Sequence, residues 1–138
     1  MTDYQQQALD FLKEAEATMT ITRNGSVDGF PFDDKDTLPH RRYKVTIERN
    51  GSSYTFPFYG SYADWQKDRD PNEYDILACV EKYDVGTMAD FVEEFGYKIV
   101  DRKSFLRVEK IWTRCKDQYR SLKTMFGPEL MEKLCEIN

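Results

Sequence analysis

Apolar residues near the N-terminus recur with a helical period. Tyr4, Ala8, Phe11, Leu12, Ala15 and Met19 fall on one face, and Thr2 with Gln5 makes a capping box in front of them. The pattern predicts a helix from Asp3 to Ala17. From residue 43 the period drops to two. Asn50-Gly51 is a strong hairpin signal, because both central positions of a type I′ turn need positive φ. Pairing outward from that turn sets Ile47 opposite Tyr54, Val45 opposite Phe56 and Tyr43 opposite Phe58, all on one face. Lys44, Thr46 and Glu48 then meet Pro57, Thr55 and Ser53 on the other. Pro57 cannot donate to a ladder, so its strand is expected at an edge or a bulge.

The hairpin sequence has an earlier copy. TITRNGSVDGFPF (Thr20–Phe32) and TIERNGSSYTFPF (Thr46–Phe58) share Thr-Ile, Arg-Asn-Gly-Ser and Phe-Pro-Phe at an offset of 26. The first copy fails the pairing rule that the second passes. With Asn24-Gly25 as a turn, Met19 meets Phe30, but Ile21 meets Asp28 and Thr20 meets Gly29. The expectation is a strand near 18–23 with a loop or bulge after it. Residues 33–40, acidic and punctuated by Pro39, read as an exposed loop.

Beyond residue 70 the punctuation becomes helical. Asp70 is placed to cap, Pro71 suits a first helical position, and Glu73 completes a capping box. Ile76, Leu77, Val80 and Tyr83 mark the buried stripe that follows. Thr87 with Asp90 starts a short helix with Met88, Phe91, Val92 and Phe95 inward and Gly96 as its stop. The longest helix runs from Arg102 or Ser104 to Phe126, with Phe105, Val108, Trp112, Cys115, Tyr119, Leu122 and Phe126 as its seam. Gly127-Pro128 ends it and opens a last helix carrying Leu130, Met131, Leu134 and Ile137 inward. The fold class is therefore α+β: a small antiparallel sheet (hairpin 43–58 plus a strand near 18–23) packed with an N-terminal helix and a helical C-terminal half. One domain is expected over 1–138, with the helix and sheet at 1–61 and the helical part at 70–138.

Composition adds constraints. Forty per cent hydrophobic and 14% aromatic residues are enough for a packed core, and 33% charged residues favour solubility. No apolar run approaches the ~20 residues of a membrane span, and the N-terminus lacks the pattern of a signal peptide, so a cytoplasmic location is expected. Cys79, Cys115 and Cys135 are too few and too scattered for a disulfide framework. With His40 they could formally hold zinc, but they lack paired ligand spacing, and no metal is expected. The net charge of -5 conceals an asymmetry. Residues 1–97 carry ten Lys/Arg against nineteen Asp/Glu, and residues 98–123 carry nine against three. An acidic body with a basic segment is polarised, and such fields steer partners.

Specific chemistry is sparse. The acidic run from Asp68 to Asp75 fails as a calcium loop, because its sixth and twelfth positions hold Glu73 and Cys79. No nucleophile elbow, P-loop or dinucleotide fingerprint is present, and His40 is the one histidine, so no catalytic residue and no cofactor are expected. Tyr54, Phe56 and Phe58 could stack on bases, but they share a face with Val45 and Ile47, which favours the core; Tyr59 is the better exposed candidate. Two charged groups remain as candidate sites. Asp33, Asp34, Asp36, Asp64, Asp68, Asp70 and Glu73 form an acidic set suited to a basic partner. Lys103, Arg107, Lys110 and Arg114 form a stripe opposite the seam of the long helix, either a solvated face or an anion-binding ridge. Lys116, Arg120 and Lys123 line one flank. The seam could also pair with a second copy, so a monomer or weak homodimer is expected.

NEYDILACVEKYDVGTMADFVEEFGY (Asn72–Tyr97), followed by DRKSFLRVEKIWTRCKDQYRSLKTMFGPELMEKLCEI, resembles a family of small proteins carried by phages and mobile elements of Gram-positive, often gut-dwelling, bacteria. The resemblance extends through the GSSYTFPFYGS hairpin into the N-terminal helix. The run from Tyr74 to Thr87 is its most specific marker, and Val92 stands where a second cysteine is expected. It implies an accessory phage protein in the cytoplasm of a bacterial host. Anti-CRISPR inhibitors are prominent among small acidic proteins of this kind. The function so implied is inhibition of a type II CRISPR effector nuclease by blocking nucleic-acid loading or target DNA binding, with possible contact to its guide RNA. The alternative is a phage accessory protein that binds nucleic acid directly through the basic helix.

Overall fold

The computed structural model describes residues 2–30, 35–81 and 86–137. The elements follow in the order α1 (Asp3–Glu14), β1 (Ala17–Asp28), β2 (Pro39–Arg49), β3 (Ser52–Tyr59), α2 (Tyr62–Lys67), α3 (Glu73–Glu81), α4 (Met88–Phe95), α5 (Arg102–Phe126) and α6 (Pro128–Cys135). The three strands form one antiparallel sheet in the order β1-β2-β3, so the α+β class holds.

The hairpin has the register expected of it: Ile47 pairs with Tyr54, Val45 with Phe56 and Tyr43 with Phe58. Asn50 and Gly51 both sit at positive φ, 51° and 80°, as a type I′ turn requires. Pro57 lies on the edge strand β3, where its missing donor costs no ladder bond. Val45 and Ile47 are fully buried, and each contributes roughly 1.5–3 kcal/mol by leaving water. They join Phe56, the α1 residues Ala8, Phe11, Leu12 and Ala15, Ile76, Leu77 and Val80 of α3, and Leu122, Phe126, Met131, Leu134 and Ile137 in one core. A second, smaller core holds Phe91, Val108 and Cys115.

Several boundaries differ from the sequence reading. α1 stops at Glu14 because Glu16 turns left-handed (φ 54°) and β1 starts at Ala17. Met19 is therefore a strand residue paired with Ile47. Thr2 accepts from the Gln5 backbone at 3.1 Å, whereas the Gln5 side chain donates to Glu73 at 3.4 Å, so the reciprocal half of the box is absent. β1 continues past 23 to Asp28 with a bulge between Arg23 and Ser26, and β2 already begins at Pro39, so the expected loop ends earlier. Asp70 does not cap α3. Asn72 does, accepting from the Asp75 backbone at 3.1 Å while Asp75 accepts from the Asn72 backbone at 2.9 Å. The short helix α2, capped by Ser61, has no counterpart in the sequence reading. α4 ends on Gly96 at φ 71° and α5 starts at Arg102, both as expected, while the capping box of Asp101 and Ser104 in front of α5 has no counterpart in the sequence reading.

Candidate interaction surface

The acidic set separates into unlike pieces. Asp33 and Asp34 lie outside the described residues. Asp36 is partly buried at 15% side-chain exposure. It accepts from the Leu38 backbone N–H at 2.8 Å, and its carboxylate pairs with His40 Nε2 at 2.5 Å while His40 Nδ1 pairs with the Gly60 carbonyl at 2.8 Å. The Leu38 N–H first, and His40 next, hold the Asp36 carboxyl below its ordinary value. This knot fastens the chain before β2 to the end of β3, and it withdraws Asp36 from the surface.

Asp68 and Asp70 are likewise occupied. Arg23 forks onto Asp70 through Nε at 2.9 Å and Nη2 at 3.2 Å, and also reaches Asp68 at 3.1 Å. Arg41 Nη1 lies 2.7 Å from Asp68, and its guanidinium stands 5.5 Å from the centre of the Trp65 ring. Buried Tyr43 donates its hydroxyl to Asp70 at 2.8 Å. The hydrogen bond from Arg41 pulls Asp68 below its usual range, that from Arg23 does the same to Asp70, and burial raises Tyr43. Two cations thus answer two anions, and the corner is nearly neutral as a unit. The alternation on β2 carries a signal for this cluster: Arg41 and Tyr43 share the face of Val45 and Ile47, and Arg23 is paired with Tyr43. Charges placed on a core face need partners. Asp64 lies 3.9 Å from Arg69, and Glu73 takes the Gln5 contact. Neither joins the Asp68–Asp70 corner.

On α5, Lys103, Lys110 and Arg114 are exposed and Arg107 is half-buried. The stripe does not lie opposite the buried side as expected. Gln118 is buried at 8% exposure, with Val108, Cys115, Leu122 and Phe126. This draws the buried side of α5 toward the turn that carries Arg114, and Arg114 borders the apolar space beneath β3. Lys116 packs its ammonium 3.7 Å from the Trp112 ring centre.

Apolar exposure is concentrated beside this stripe. Phe95, Ile99, Val100, Phe105 and Leu106 are all exposed, Val100 at 82%. Phe95 and Phe105 were expected inward. The small second core buries Phe91 and Val108 but does not cover the side chains one turn beyond them. The segment 95–106 therefore offers apolar groups interleaved with Lys98, Arg102 and Lys103.

Among the described residues no group of three or more His, Cys, Asp or Glu could hold a metal ion, and no helix is long and apolar enough to cross a membrane. No family model, no curated protein and no solved structure matches the chain.

Proposed function

We propose that this protein is a phage-encoded inhibitor of a bacterial defence system that acts by binding, as an anti-CRISPR protein directed at a type II effector nuclease, and that it performs no catalysis. The exposed apolar and basic segment 95–106 is the observation that carries a binding role. Val100, Leu106, Phe105 and Ile99 stand in water where a solitary folded chain gains nothing from them, and clustered apolar exposure ringed by charge is the usual mark of a protein interface. The resemblance around Tyr74–Thr87 supports the choice of partner.

In this reading the 95–106 corner seats against the effector. Lys103, Lys110 and Arg114 extend the contact along α5 toward an acidic patch or the guide RNA. The paired Asp68 and Asp70 contribute little long-range field, so the contact shifts from the acidic corner to the basic helix. The deciding experiment is size-exclusion co-elution with purified type II effectors, with and without guide RNA. Expected is a complex that Val100→Asp with Leu106→Asp weakens by more than about tenfold, as loss of central interface anchors does. Failure to bind any effector tested overturns the reading. The alternative of direct nucleic-acid binding is favoured instead if the protein alone binds nucleic acid at low salt, with affinity falling steeply as salt rises.

A further inference from the structure

A half-enclosed cavity of about 290 Å³ lies between β3 and the helices α3, α4 and α5, near the lower end of the size range of small-ligand sites. Phe56 and Phe58 of β3 form one wall; Ile76, Val80, Phe91 and Cys115 close the others. Half of the described residues lining it are aromatic. Their rings already pair with one another in the stacked geometry that aromatic groups favour: Tyr54 with Phe56 at 5.6 Å and Phe91 with Tyr97 at 5.7 Å between centroids. Such walls suit a planar ring.

Two polar groups interrupt this lining. Gln118 is more than nine-tenths buried and its side chain borders the cavity, yet among the described residues its amide has no hydrogen-bond partner. Neither amide atom is among the fully buried unpartnered ones, so water still reaches the amide at the cavity, and a ligand seated there would meet its two N–H donors. Arg114, one turn earlier on α5, stands at the rim, exposed and with no ion pair among the described residues. A neutral hydrocarbon would displace the water at Gln118 without replacing its hydrogen bonds, and a cation would be repelled by Arg114. An anion with acceptor oxygens satisfies both.

We propose that this cavity binds a small aromatic monocarboxylate, its ring between the β3 wall and the helices and its carboxylate between Arg114 and the Gln118 amide. Burial pushes the Cys115 thiol up to about 12, so the cysteine in the wall is a thiol at neutral pH and holds the ring by contact, not by a covalent bond. The site shares Arg114 with the partner reading but does not rest on that reading, and its failure leaves the apolar 95–106 contact standing.

The test is a titration of the full chain with 2-naphthoate, followed by calorimetry and by methyl NMR. Expected is saturable one-to-one binding that shifts the Ile76 and Val80 methyls, with 2-naphthylmethylammonium at least about tenfold weaker. Arg114→Gln and Gln118→Met should each weaken 2-naphthoate by about fivefold or more, the worth of one hydrogen bond. Arg114 is exposed, so Arg114→Gln decides the matter even if Gln118→Met folds poorly. No saturable binding at about 1 mM ligand, equal affinity for the cation, or unchanged affinity in Arg114→Gln overturns the proposal.

Discussion

At Arg49-Asn50-Gly51-Ser52 the chain reverses, and β2 and β3 leave the turn as a hairpin. At Arg23-Asn24-Gly25-Ser26, the same four residues, it runs on. β1 advances from Arg23 to Ser26 while its partner β2 steps only from Tyr43 to Arg41, so one extra residue is absorbed as a bulge. Both glycines are left-handed, Gly25 at φ 82° and Gly51 at φ 80°, but of the two asparagines only Asn50 has positive φ. The turn needs two consecutive left-handed residues and the bulge needs one. Identical residues permit either, and the flanks decide. Around Gly51 both sides alternate and match; around Gly25 a reversal would set Ile21 against Asp28. β1 instead finds its apolar partners on β2, Met19 against Ile47 and Ile21 against Val45.

The largest difference between the copies should appear at the corresponding isoleucines, Ile21 and Ile47. Ile47 is fully buried at the centre of the sheet, whereas Ile21 is only partly buried against the same core. Ile47→Ala should cost about 3–4 kcal/mol and Ile21→Ala about 1–2 kcal/mol, by transfer and cavity terms. Urea unfolding measures both. Equal losses would mean that β1 is as central to the core as β2, against the order β1-β2-β3.

This contrast also shows what was legible beforehand. The hairpin was, because turn chemistry and alternation are independent and gave the same register. The end of α4 and the extent of α5 were, because Gly96, the spacing of the α5 seam and Gly127-Pro128 are local signals. Asn72 was missed as the cap of α3 because Asp70 fits the local rule equally well. Arg23, 47 residues away, and Tyr43 claim its carboxylate, and no local rule sees that distance. The basic composition of the long helix was legible, but its setting was not. Gln118 reads as a surface residue, and its burial moves Arg114 from the expected far side to the edge of a cavity. Phe95 and Phe105 fit a seam by spacing alone. Spacing does not reveal that the second core is too small to cover them.

The next difference lies in the arginines that open each copy. Arg49 donates to the Ala15 carbonyl and to the Met125 carbonyl, both at 2.8 Å, and so ties the C-terminal ends of α1 and α5, where a cation is favourable. These acceptors do not titrate. Arg49→Gln should therefore cost about 1.5–3 kcal/mol, the range for hydrogen bonds from a charged donor, by the same amount at every pH. Arg23 acts on Asp68 and Asp70, whose carboxyls are held below the unfolded value of 3.8. A depressed carboxylate stabilises the fold fully above the unfolded value, and loses that contribution as pH falls through the lower native one. The penalty of Arg23→Gln should thus be present at neutral pH and fade below 3.8. Thermal unfolding of both variants across the acid range separates the two behaviours; a pH-independent Arg23→Gln penalty would show that its guanidinium acts by packing alone.

The smallest difference is the most specific to the repeat. Asn50 holds φ 51° in the turn, a conformation that costs a residue with an ordinary Cβ about 1–2 kcal/mol and that asparagine tolerates better through its short polar side chain. Asn50→Ala should therefore destabilise the protein by about 1 kcal/mol. Asn24 is not left-handed, and its contribution to the bulge is a backbone carbonyl that accepts from Arg42 Nε at 2.8 Å. Alanine keeps that carbonyl, so Asn24→Ala should change stability by less than about 0.5 kcal/mol, as an exposed substitution does. Chemical denaturation of the two single variants reads the difference directly. If Asn24→Ala proves as costly as Asn50→Ala, the first copy is a turn held open by its neighbours. If only Asn50→Ala costs stability, the asparagine is a turn residue in one copy and a passive one in the other, and the shared Arg-Asn-Gly-Ser takes its meaning from the strands on either side.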